Sequence, residues 1–240
     1  MNKKGLYWLL PLRSIVFIIF FLTAAWLTKK SVDEISSIWS FSATVINILF
    51  ILLLIWVSKK NGMSYKELIN YEKGKSKFSH VVIMSVIIIV IGMGGMFFAG
   101  FLCYKTMMPY CSLVMIRPIP AVLAVINIFL LPVSTTLAED GLYLGCGVAV
   151  IKNKIASIMI PAFFYALQHC FIPVLLDPIY ILYRFISFLP CTILLCAYYQ
   201  KKKDPVPVMV GHALIDVATV MQIAATSLIP GFYENMCSML

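Results

Sequence analysis

Charge is what this sequence has least of. Only 12% of its 240 residues are Asp, Glu, Lys or Arg, ten of them acidic, and histidine occurs three times. A soluble domain carries about 25% charged residues, so an ordinary water-facing surface cannot be built from this chain. Soluble-enzyme motifs are missing as well: there is no HExxH, no GxSxG and no phosphate-binding glycine loop. The seven cysteines show no CxxC spacing, and five lie in apolar runs, where a thiol behaves as a small buried hydrophobe. That argues against a disulfide framework or a zinc knuckle.

Apolar residues fill the chain instead, at 62%, with a mean hydropathy of +0.96. They come in runs long enough to cross a bilayer, about 20 residues each. The expected fold is an all-α, polytopic membrane bundle of seven or eight transmembrane helices, with 1–240 as a single integral membrane domain. Spans are read over 10–28, 40–58, 81–104, 121–151, 155–176, 179–200 and 206–228. The fourth is too long for one straight crossing and carries Pro132, so it is either a kinked helix or a half-span followed by a helix. Lys3 and Lys4 precede a first run that Arg13 interrupts, with no small-residue cleavage site, and it is read as a retained span.

The formal charge of +9 is unevenly placed. Lys59, Lys60, Lys66, Lys73, Lys75 and Lys77 crowd the second loop, Lys152 and Lys154 the fourth, and Lys201, Lys202 and Lys203 the sixth. The odd loops carry fewer. Cytoplasmic loops are enriched in Lys and Arg, which puts the amino terminus in the cytoplasm. The basic excess is therefore a topology signal and gives no reason to expect nucleic acid. A composition rich in Lys and Ile points to a bacterial cell membrane.

Ionisable residues inside spans are expensive in lipid and mark sites of function. They are Arg13, Glu139, Asp140, His169, Arg184, His212 and Asp216. Arg13, near the start of its span, is expected to snorkel to the interface. His212 and Asp216 are four residues apart and share a helix face, so the acid can orient the imidazole. Tyr165 stands one turn before His169. Carboxylates and imidazoles on separate helices suit activation of water by a general base. They also suit a zinc ion with an open position, or a proton relay.

Three motifs carry a resemblance. Glu139-Asp140-Gly141-Leu142-Tyr143-Leu144, Tyr165-Ala166-Leu167-Gln168-His169 and His212-Ala213-Leu214-Ile215-Asp216 follow in the order of EExxxR, FxxxH and HxxxN or HxxxD. Over 137–220 the chain resembles the CPBP family of intramembrane proteases. That family includes the CAAX prenyl endopeptidases and bacteriocin-processing enzymes, and was formerly called Abi. The resemblance implies a glutamate- or metal-dependent endopeptidase acting on a peptide or membrane-protein substrate. It implies that Glu139 and His169 activate water while His212 and Asp216 line the oxyanion site. Zinc, if used, would be held by Glu139, His169 and His212. The alternatives are a non-catalytic relative that binds a peptide or partner, as in immunity, and a small proton-coupled transporter.

Three positions depart from the family pattern: Asp140 for Glu, Leu144 for Arg and Tyr165 for Phe. The first two remove both ends of an ion pair one turn apart. Arg184 is the only intramembrane cation in that half and is expected to snorkel toward Asp177. Asp140 would then be protonated or solvated, and Asp140→Asn nearly silent. The motifs also pose a question of depth. His169 lies roughly 20 Å along its helix from Lys154, and His212 roughly 10 Å from Lys203. The fifth span must start below the membrane plane, with Pro161 near the interface, or tilt strongly.

Overall fold

The computed structural model describes residues 5–239; Lys3 and Lys4 lie outside them. The helices are α1 (Leu12–Thr28), α2 (Val32–Ser36), α3 (Trp39–Lys60), α4 (Tyr65–Leu68), α5 (Phe78–Tyr104), α6 (Ala121–Asp140), α7 (Ala156–His169), α8 (Pro178–Lys202), α9 (Val206–Leu228) and α10 (Phe232–Ser238). A π-helical segment, Gly141–Val148, continues α6 directly. Among the described residues the one strand-like feature is an isolated bridge between Phe171 and Val174.

Among the described residues six helical stretches are long and apolar enough to cross a membrane. The fourth is one continuous helix of 28 residues, Ala121–Val148, with Pro132 inside it, so no half-span is needed. The stretch read as a fifth span differs. Its helix, α7, has only 14 residues and stops at His169. Beyond it the chain turns back through Ile172 and Val174, both buried, to reach α8. Non-helical backbone at membrane depth persists only where protein covers it and satisfies its polar groups. Arg184 does so here, donating to the carbonyls of His169 and Ile172 at 3.0 and 2.9 Å.

Contacts between helix ends define two rims. At one, Asn70 donates to Tyr199 at 2.6 Å, Ser76 to Asp204 at 2.8 Å, and Gln200 to the Lys154 carbonyl at 3.0 Å. This rim gathers the lysine-rich loops. At the other, Ser36 donates to the Val174 carbonyl at 2.7 Å, Trp39 to Met115 at 3.1 Å, and Arg117 pairs with Asp33 at 2.9 Å. Short helices at the rims are fixed by capping boxes, Ser31 with Glu34 and Ser64 with Glu67. All seven cysteines are free thiols.

Pro161 packs against Gly147, where a side chain would collide with the proline ring. This contact sets the register of α7 against the π-helical segment. Glu139 lies eight residues before Gly147 and His169 eight residues after Pro161, on helices running in opposite directions, so the two side chains arrive at one level. α7 starts five residues before Pro161, roughly 7 Å along its axis toward the lysine-rich rim.

Small residues let the other helices approach. A Cβ on Gly95 of α5 would overlap the Ser187 carbonyl of α8, a backbone atom with no freedom to move aside. The adjacent Gly94 has open space around it. Gly95→Ala should therefore lower the thermal unfolding temperature in detergent, overpacking costing about 1–3 kcal/mol. Gly94→Ala should leave it unchanged or raise it. Equal effects from the two variants would rule out the close crossing of α5 and α8.

Candidate active site

Adjacent positions on a helix point about 100° apart, so Glu139 and Asp140 look toward different neighbours. Both are buried, at 3% and 1% exposure. Glu139 faces α1 and the end of α7. Its Oε1 accepts from Arg13 Nη2 at 2.8 Å, and its Oε2 from Gln168 Nε2 at 2.7 Å. Gln168 in turn accepts from Arg13 Nε at 2.6 Å and from the Tyr143 hydroxyl at 3.1 Å. Asn47 on α3 accepts from Arg13 Nη2 at 2.9 Å. Arg13, Glu139 and Gln168 thus form a closed ring of hydrogen bonds.

This overturns the expectation for Arg13. The side chain does not snorkel; it is fully buried, with its guanidinium about 5 Å from the Phe17 and Phe50 ring centroids. A lone cation in this interior is untenable, and Glu139 supplies the opposite charge. Arg13 comes from a helix 126 positions before its partner.

Asp140 faces the middle of α7 and α9. Its Oδ1 accepts from the Tyr165 hydroxyl at 2.9 Å, and its Oδ2 lies 3.3 Å from His212 Nδ1. Tyr165 Oη is also 2.9 Å from that nitrogen. With Asp140 ionised and Tyr165 donating to it, the hydroxyl can only accept from His212, so this network assigns a hydrogen to Nδ1. His212 Nε2 is then turned toward Asp216, whose Oδ2 is 3.8 Å away and has no hydrogen-bond partner among the described residues. Asp140 is neither unpartnered nor left to water, as the loss of the arginine at position 144 led one to expect. Arg184 makes no ion pair with it. That side chain is buried instead of snorkelling, and binds the two carbonyls at the end of α7.

His169 completes the site. Its Nε2 is 3.7 Å from Glu139 Oε2, too far for a direct bond but a separation at which one water can bond to both. The ring stacks on Phe188, with centroids 3.8 Å apart, and lies parallel to Tyr165 on its other neighbour at 6.0 Å. Its carbonyl is held by Arg184. The most accessible members are His169, His212 and Asp216, with side chains 12%, 11% and 19% exposed.

Glu139, His169, His212 and Asp216 therefore meet in one place, with Asp140 and Tyr165 beneath His212 and Arg184 behind His169. Among the described residues no three His, Cys, Asp or Glu side chains are placed to share a metal ion.

Sequence reading placed Arg13 at the interface and missed Gln168, Asn47, Tyr143 and Phe188. Gln168 and Asn47 are amides inside apolar spans, and attending to ionisable residues alone passed over them. No curated protein and no solved structure matches the chain. Residues 120–218 match the family described as Type II CAAX prenyl endopeptidase Rce1-like. That segment, less than half of the chain, holds all three motifs and every ionisable residue of the site except Arg13, and its likeness to the family supports a CAAX-type intramembrane protease.

Proposed function

We propose that this protein is an intramembrane endopeptidase that hydrolyses a membrane-associated or amphipathic peptide with a water activated by Glu139 and His169. The 3.7 Å separation between Glu139 Oε2 and His169 Nε2 carries the reading, because both atoms are within hydrogen-bond reach of one water. Glu139 takes a proton as the water oxygen attacks the scissile carbonyl carbon. His212, as an imidazolium flanked by Asp140 and Asp216, donates from Nε2 to the oxyanion. Collapse of that intermediate breaks the C–N bond, and the proton passes to the leaving nitrogen. An ionised Asp216 cannot donate, so its role is to balance and orient His212.

In this reading the whole chain is one membrane unit that crosses seven times, α7 and its buried return segment making the seventh crossing. The amino terminus and the lysine-rich rim are cytoplasmic, and a bacterial cell membrane is the setting. A peptide or membrane protein is the substrate.

A second reading, a non-catalytic relative that binds a peptide, is favoured by one observation: both Glu139 oxygens already accept hydrogen bonds. Glu139→Gln separates the two. The protease should lose cleavage of a quenched peptide library in proteoliposomes by about 10²–10⁴-fold in the folded fraction and still bind it there, although the change also leaves Arg13 without its counter-ion and lowers stability. A binder would show no cleavage in the unsubstituted protein and unchanged binding in the variant. His169→Ala should match Glu139→Gln in loss of cleavage while leaving the Arg13–Glu139 pair intact; near-normal cleavage in both variants would remove these residues from the mechanism.

A further inference from the structure

A cavity of about 580 Å³ opens at the basic rim, between the end of the π-helical segment, the start of α7 and the end of α8. Lys152, Lys154, Lys201 and Lys203 line it, and no carboxylate does. Val148 and Ala197 belong to its apolar floor. Elsewhere on the molecule Lys75 has Glu72 and Arg117 has Asp33 as counter-ions. Lys152, Lys154 and Lys201 have no ion pair among the described residues, and Lys203 lies over the Tyr199 ring. Gln200 bridges the walls by donating to the Lys154 carbonyl at 3.0 Å and to Ser157 at 3.2 Å, which fixes the two lysine-bearing segments relative to each other.

Lys152, Lys154 and Lys201, three cations with no ion pair among the described residues, repel one another around one concavity unless an anion joins them. The volume suits a small polar group, since ligand pockets run about 300–1,000 Å³. The position selects among anions. The cavity sits where two membrane-crossing helices end, at the level of lipid headgroups, and basic pockets between such ends bind acidic lipids. We propose that it holds the headgroup of an anionic phospholipid, with the phosphate among the four lysines and the glycerol against the apolar floor. A freely diffusing phosphate would share the lysines but have no use for that floor.

The test uses the full chain in detergent, exposed to phosphatidylglycerol or phosphatidylcholine and read by native mass spectrometry. The protein should retain phosphatidylglycerol about tenfold more than phosphatidylcholine. Lys152→Gln, Lys154→Gln, Lys201→Gln and Lys203→Gln together should abolish the preference. The same number of changes at Lys59, Lys60, Lys73 and Lys75 should leave it intact. Equal loss in both sets would overturn the site in favour of diffuse surface charge. Complete displacement by millimolar inorganic phosphate would overturn the lipid assignment. Photo-crosslinking of a diazirine-bearing phosphatidylglycerol to the unsubstituted protein needs no variant to fold: label should concentrate in 148–157 and 197–203, and label spread over other rim segments would sink the proposal.

Discussion

Arg13→Met should destabilise the protein by about 3–5 kcal/mol, because removing one member of a buried ion pair strands the other charge in a low-dielectric interior. The stranded group is Glu139, and its Oε1 has no other partner among the described residues. Gln168 suffers too, since Arg13 Nε supplies its 2.6 Å hydrogen bond and sets which end of the amide faces Glu139. Cleavage should fall with stability in this variant, which leaves position and charge entangled. Adding Glu139→Met separates them. The double variant replaces a buried pair with apolar groups, an exchange often neutral for stability, so its unfolding temperature in detergent should recover most of the loss. Its cleavage should remain absent, because the base is gone. A double variant as unstable as Arg13→Met would mean that Arg13 acts through Asn47 and Gln168 and owes nothing to the charge of Glu139. Arg13→Lys should fall between, as an ammonium cannot reach Asn47, Gln168 and Glu139 from one planar fork.

The sequence revealed the spans and the three motifs because each depends on local pattern. Apolar runs appear at their own positions, and His212 with Asp216 falls on one face by spacing alone. Partners across helices leave no such trace. Arg13 was read as an interface residue from its place near the start of a run. The helical stretch in fact begins at Leu6, which puts Arg13 seven residues in, and its partner stands 126 positions later. The family's arginine falls one turn after the second acid, and its replacement by Leu144 pointed to an unpaired charge. The pairing was absent in sequence and present in space, through a tyrosine hydroxyl that a phenylalanine would lack. The length of α7 was misjudged for a related reason. The residues after His169 are as apolar as a helix would be, but Ile172, Pro173 and Val174 are apolar because they are buried in a turn. Hydropathy reports burial and does not distinguish a helix from covered loop.

The departures at 140, 144 and 165 form one substitution in space, and this gives the second large effect. The Tyr165 hydroxyl bonds to Asp140 and meets His212 Nδ1, both at 2.9 Å, so the shorter acid and the added hydroxyl align the imidazole together. Asp140→Asn removes the charge that supports an imidazolium at position 212, and cleavage should drop by about 10²-fold or more, in the range seen when a group supporting a transition-state donor is lost. A near-silent outcome, expected when Asp140 was taken as unpartnered, would dissolve the dyad. Tyr165→Phe restores the family residue but breaks the bridge, and should reduce cleavage less, with coupling to Asp140→Asn above about 1 kcal/mol because the two share one network. Side-chain ¹⁵N spectroscopy reads the same network without substrate, since the chain has only three histidines. In the unsubstituted protein His212 should carry hydrogen on Nδ1, and both variants should change that signal while leaving His169 alone. Arg184→Ala serves as the contrasting arm. It acts on the His169 carbonyl and the return segment, so its effect should add to that of Asp140→Asn without coupling, and the signal it disturbs should be His169 and not His212.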